Sequence, residues 1–222
     1  MITLREICIV ICSTFIVSSC SQNNKDKEMS NKSLFGKLTD GREVHQFTLK
    51  NKKGMEVSII NFGATVTSIV VPDKSGKTDD VVLGYDSLQG FVNDNSYLGV
   101  IVGRYGNRIG KGKFSIDGKN YQVTVNDGAN HLHGGTMGFH KVLWDAKQIE
   151  SESAPAVQLT YVSKEGEDGY PGTVTIKVTY TLTPDNELKI DYEGATDKPT
   201  ILNPTNHAYF NLTGDPAKTR PC

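Results

Sequence analysis

The side chains able to do chemistry near neutral pH are few and clustered. His207 lies within Asn203-Pro204-Thr205-Asn206-His207-Ala208-Tyr209-Phe210-Asn211-Leu212, surrounded by amides and aromatics. An imidazole at the lip of a sheet can give or take a proton, and Pro204, which cannot donate to a ladder, implies weakened pairing there. A histidine bonded to a buried carbonyl would have the same neighbours, and this stretch alone favours that plainer reading. A second group is Asn130-His131-Leu132-His133-Gly134-Gly135, with His140 beyond it. Alternate strand residues share a face, so His131 and His133 could ligate a metal together. Residues 134–139 supply no carboxylate to complete a cupin-type site, and the paired glycines instead allow a ligand close to the backbone. The third group is the loop Gly103-Arg104-Tyr105-Gly106-Asn107-Arg108-Ile109-Gly110-Lys111-Gly112. It is no Walker loop, because Tyr105 stands where glycine is required and Gly112 where Ser or Thr is required. Asn107 and Arg108 offer adjacent amide and guanidinium donors, suited to hydroxyls of a neutral ligand or to carboxylates. In isolation the loop reads as a basic hairpin tip in solvent.

The elements that must carry these groups are strands. Val174, Ile176, Val178, Tyr180 and Leu182 alternate with Thr and Lys, turn at Pro184-Asp185-Asn186, and alternation resumes at Leu188, Ile190 and Tyr192. That is a hairpin with one apolar face. A second hairpin runs from Phe114 and Ile116 through Asp117-Gly118 to Tyr121, Val123 and Val125. Val157, Leu159 and Tyr161 mark another strand. Ile69-Val70-Val71, Val81-Val82-Leu83 and Leu98–Val102 are continuous apolar runs, expected as strands covered on both faces. No segment has the period of an amphipathic helix. The expected fold class is all-β, a large antiparallel β-sandwich.

The first residues are not expected to belong to that fold. Arg5 is followed by an apolar run, Ile7–Val17, too short to span a bilayer, and then by Val17-Ser18-Ser19-Cys20. This predicts a lipoprotein signal peptide over 1–19, a lipidated Cys20, and a polar tether through Ser33, with the domain occupying 34–222. The expected location is the bacterial cell envelope, lipid-anchored and facing the periplasm or the cell exterior. After signal removal Cys222 would be the one remaining thiol, so no intramolecular disulfide framework is possible. A net charge of −1 gives no footprint for nucleic acid or for an anionic membrane surface.

Four separated stretches then point to one family. GRYGNRIGKGKFSIDGKNY, the Leu132–Phe139 segment with Trp144, GEDGYPG (166–172) and NPTNHAYFNL follow one another as in the aldose 1-epimerases, the galactose mutarotases. The resemblance runs from about Phe62 to Pro216 and implies a β-supersandwich fold. It further implies that His207 is the catalytic proton donor to a sugar ring oxygen. Asn107, Arg108 and His133 match positions that bind sugar hydroxyls, and Tyr209 lies in the sugar-binding segment beside the histidine. His131 occupies a place variable in the family, and Arg104 matches no contact position, so loss of Arg108 is expected to weaken sugar binding and turnover more than loss of Arg104. The implied partner is a monosaccharide, with no metal and no organic cofactor.

The resemblance departs at Arg220-Pro221-Cys222. Family members carry a glutamate base near the end of a longer domain, so the sandwich is expected to be incomplete at the C-terminus and no base is assigned in this sequence. Glu165, Glu167 and Asp168 are not substitutes, because GEDGYPG has its own place in the family as a loop. The expected function is interconversion of α and β anomers of an aldohexose such as galactose or glucose. The alternatives are a carbohydrate-binding module that kept the contacts without the chemistry, and an inactive fragment.

Overall fold

The computed structural model describes residues 30–149, 151 and 154–215. Five antiparallel strands in chain order make the first sheet: β1 (Ser30–Lys37), β2 (Glu43–Lys50), β3 (Glu56–Ile60), β4 (Thr65–Pro72) and β5 (Thr78–Asp80). A one-and-a-half-turn helix, α1 (Leu88–Asn93), follows. Then come short pieces: β6 (Ile101–Val102), β7 (Arg108–Ile109), the hairpin β8 (Lys113–Ile116) and β9 (Lys119–Gln122), and β10 (His131–Leu132). The second large sheet is β11 (Asp145–Ile149), β12 (Ala156–Ser163), β13 (Val174–Leu182) and β14 (Leu188–Thr196), again antiparallel and in order. Last is β15 (Thr205–Asn206), which pairs with β6.

The two large sheets share one core. Phe47, Leu49, Val57, Ile59, Val66 and Ile69 from the first meet Val157, Leu159, Val174, Ile176, Val178 and Leu182 from the second. β13 shows why the sequence alternates: Val174, Ile176, Val178, Tyr180 and Leu182 are all fully buried, and the residues between them are not. Each such side chain contributes about 1.5–3 kcal/mol, so a one-residue slip would cost on the order of 10 kcal/mol. Tyr180 is admitted to this core because its hydroxyl donates to the Ala64 carbonyl at 2.8 Å.

The all-β architecture agrees with the sequence, and five details correct it. Residues 30–33, assigned to the tether, belong to β1, where Ser30 to Ser33 pair with Leu49 to Gln46. β1 is an edge strand, so it can be polar: it is held by backbone pairing, with solvent on one side. A helix is present that the period did not reveal, because six residues with Leu88 and Phe91 inward are too few to establish a repeat. The second hairpin stops at Gln122; Val123 instead donates its N–H to the Gly112 carbonyl, and Val125 is exposed. Val81–Leu83 has a single bridge, Val82 to Phe210. Of Leu98–Val102 only the last two residues are strand. Both runs are mostly buried, but their backbones are engaged by the 203–211 segment. Among the described residues no helix is long and apolar enough to cross a membrane.

Candidate active site

His207 is placed by those two apolar runs. Asn203 donates to the Arg104 carbonyl and accepts from Gly106 N–H, both at 2.8 Å, and Thr205 and Asn206 pair with Val102 and Ile101. His207 donates its N–H to Val100 O at 2.9 Å and accepts from Gly99 N–H at 3.1 Å. Leu83 N–H donates to Tyr209 O at 2.9 Å, and Asn211 N–H to Val81 O at 2.8 Å. Pro204 sits where pairing passes from Arg104 to β6, so the ladder changes partner there and resumes at once. The half-buried imidazole of His207 packs on rings: His133 at 5.1 Å, Tyr209 at 5.1 Å and Tyr97 at 5.8 Å between centroids.

His133 reaches this place because β7 and β10 pair antiparallel, Ile109 opposite His131 and Arg108 opposite Leu132. Past the end of that ladder, His133 N–H donates to Asn107 O at 3.1 Å, and Asn107 N–H donates to His133 Nδ1 at 3.0 Å. Both residues adopt positive φ, 69° at Asn107 and 52° at His133, which the reciprocal bonds stabilise. Because Nδ1 accepts, the neutral ring carries its proton on Nε2 and is a donor there. Burial, with the neighbouring His207 and Arg108 adding to it, pushes the His133 pKa down to about 4. His133 is therefore an uncharged donor at neutral pH. Asn107 Oδ1 accepts from the Arg108 N–H at 2.9 Å. The Arg108 side chain, 55% exposed, lies at the rim with its Nε 2.7 Å from Asp127 Oδ2.

The structure thus brings together His207, His133, Tyr209 and Asn107, with Arg108 beside them. Cys20 lies outside the described residues. His131 does not join His133. It is fully buried, its Nδ1 donating to Thr124 O at 2.6 Å and its Nε2 accepting from Tyr170 OH at 2.5 Å. With both nitrogens occupied and burial lowering its pKa, it is a structural residue with no lone pair for a metal. The acidic residues of 165–168 are committed as well. Glu167 accepts from Tyr161 OH at 2.5 Å and from Ser163 Oγ; Asp168 accepts from the N–H groups of Thr136 and Met137; Glu165 pairs with Lys198.

Arg104, which matches no sugar-contact position, has a structural place that the sequence did not show. It is 2% exposed, and all five guanidinium donors are used, on Ser163 Oγ, Ser163 O, Lys164 O, Pro171 O and Thr200 Oγ1. Sequence reasoning also missed Tyr97, Asp94 and Asp127. Asp127 precedes Gly128 in a turn, a signal that marks a loop but not its neighbour; Tyr97 sits in no periodic or motif context at all.

This arrangement can be set against known proteins. The family model described as aldose 1-epimerase matches residues 45–220. The chain belongs to the aldose 1-epimerase family. Galactose mutarotase from Bos taurus is 42% identical over 184 residues, covering 82% of this chain and 52% of the relative. Aldose 1-epimerase from Escherichia coli K12 is 36% identical over 181 residues, covering 82% and 51%. The crystal structure of galactose 1-epimerase from Lactobacillus acidophilus NCFM superposes with a TM-score of 0.75 at 31% identity, covering 82% of this chain and 53% of that one. This family member spans about half the length of the curated relatives it matches.

Proposed function

We propose that this chain supplies the acid and part of the sugar-binding surface for anomer interconversion of an aldohexose such as galactose or glucose. The observation that carries the reading is the packing of His207 against His133 at 5.1 Å, beside the Asn107–Arg108 pair and Tyr209. Exchange of anomers requires breaking the C1–O5 bond of a hemiacetal. A base takes the C1 hydroxyl proton, an acid protonates O5, and the open aldehyde turns and recloses on its other face. An imidazole that ordinarily titrates near ~6.5 can give and retake the O5 proton. That role falls to His207. Neutral His133, donating from Nε2, with Asn107 and Arg108, binds the remaining hydroxyls without demanding one anomer. Tyr209, 41% exposed, offers an aromatic face to the sugar. Among the carboxylates, Asp127 is engaged by Arg108 and residues 165–168 by structural partners, so the C1 base is not assigned to them.

Titration with D-galactose or D-glucose, followed by NMR at the imidazoles, tests the binding reading. Both His133 and His207 signals should shift. No response up to the solubility limit of the sugars would sink the proposal. In polarimetry of fresh α-anomer, His207→Ala should lower kcat roughly 10²–10⁴-fold, the range for loss of a general acid. We also propose lipid anchoring through Cys20 at the bacterial envelope, supported by the apolar run and the Val17–Cys20 sequence. Radiolabelled palmitate incorporation that survives Cys20→Ser would refute it.

A further inference from the structure

Tyr97 belongs to no motif, yet its ring touches three imidazoles: His133 at 4.7 Å, His140 at 4.9 Å and His207 at 5.8 Å between centroids. The loop that presents it is tightly determined. Asp94, buried, accepts from Ser96 N–H at 2.8 Å and Tyr85 OH at 3.0 Å through Oδ1, and from Leu98 N–H at 2.9 Å through Oδ2. Its main-chain oxygen accepts from Lys141 Nζ at 2.8 Å, and two residues past Tyr97 the Gly99 N–H donates to the His207 carbonyl. Between these anchors Tyr97 is held at φ +61°, a left-handed backbone that a bulky aromatic rarely adopts. Such a conformation persists where the surroundings over-determine it. The opposite wall is His140, 7% exposed, whose buried Nδ1 has no hydrogen-bond partner among the described residues. Burial pushes its pKa down to about 3, so it presents a neutral, unyielding surface at physiological pH.

We propose that Tyr97 is the positioning residue of this site: its ring, fixed by the Asp94-anchored loop and backed by His140, sets the edge-to-face packing of His133 on His207. The two rings meet at 83°, and Tyr97 contacts both, so it is the wedge that fixes their mutual orientation. Without that wedge, His133 can rotate off Asn107 N–H, and its donor nitrogen loses a defined direction. The phenol is not required to touch the sugar for this; the ring plane suffices. The proposal deepens the epimerase reading and rests on it only for what the positioned pair then does.

The test separates the two. In histidine-labelled protein, the NOE between the His133 and His207 ring protons and the exchange protection of the Asn107 amide report the geometry directly, without sugar. Tyr97→Phe should keep both, because the ring is retained. Tyr97→Leu should lose the NOE, expose the Asn107 amide, and weaken aldose binding about tenfold relative to Tyr97→Phe, equivalent to about 1.4 kcal/mol. If Tyr97→Leu does not fold, Tyr97→Met, which fills the same space flexibly, is read in its place with the same expectation. Retention of the NOE and of Asn107 protection in either aliphatic variant overturns the proposal, whatever the sugar does. Loss of both with no aldose bound by the unsubstituted protein upholds the positioning role and removes the epimerase reading.

Discussion

Replacing Arg104 by Ala should damage the fold far more than replacing Arg108, although the two lie on one glycine-rich loop. The magnitude follows from the five hydrogen bonds Arg104 makes, four of them at 2.9 Å and the one to Thr200 Oγ1 at 3.4 Å. Removal takes the guanidinium donors from the buried carbonyls of Ser163 and Pro171, each at about 1 kcal/mol or more, whereas Lys164 O keeps the Glu167 N–H. It also leaves a cavity over Tyr170, whose ring centroid is 5.5 Å from the guanidinium carbon, and removes a buried cation that interacts favourably with Glu167. Breaking a buried charge network of this kind costs about 3–5 kcal/mol. For a domain of this size that lowers Tm by roughly 6–20 °C. Arg104→Lys should recover little, since an ammonium cannot reproduce the planar fork. Urea and thermal unfolding followed by circular dichroism would measure it. A loss below about 1 kcal/mol for Arg104→Ala would refute the reasoning, because it would mean those carbonyls find water or other donors.

Arg108→Ala should cost at most about 1 kcal/mol of stability, since its pair with Asp127 is largely exposed. The same substitution should weaken aldose binding roughly ten- to a hundredfold, the cost of a lost charged hydrogen bond; calorimetric titration with galactose decides it. Acid should destabilise the protein through its buried histidines. The unfolded imidazole takes a proton near pH ~6.5, but folded His140 does so only near 3 and His133 near 4. More protons are then bound in the unfolded state, so stability falls as pH drops through that window, at up to about 1.4 kcal/mol per pH unit from His140. His140→Leu should flatten that slope in unfolding measured between pH 7 and 4, and an unchanged slope would contradict the assignment. Tyr170→Phe removes the hydroxyl donating to buried His131 Nε2 and should cost about 1–3 kcal/mol in denaturant unfolding, with sugar binding intact.

The central strand of the second sheet was legible because one-sided burial imprints itself on sequence as alternation from Val174 to Leu182; Leu188 to Tyr192 alternates too and is a strand, although Tyr192 is exposed. The Asp117-Gly118 turn was legible for an equally local reason, since few residue pairs take a tight turn readily. His207, His133, Asn107 and Arg108 were marked by motif residues, and the fold gathers the first three around one point. What the sequence left open were the identities that depend on distant neighbours. Arg104 and Arg108 are the same residue type four positions apart, and only the arrival of Ser163, Lys164 and Pro171 makes the first a buried structural hub. His131 and His133 alternate as a metal pair would, and only Tyr170 closing on one ring and His207 packing on the other separates their roles. Tyr97 carries no local signal whatever. Its importance comes from three histidines converging on it from other segments of the chain, and convergence of that kind exists only once the sheets have packed.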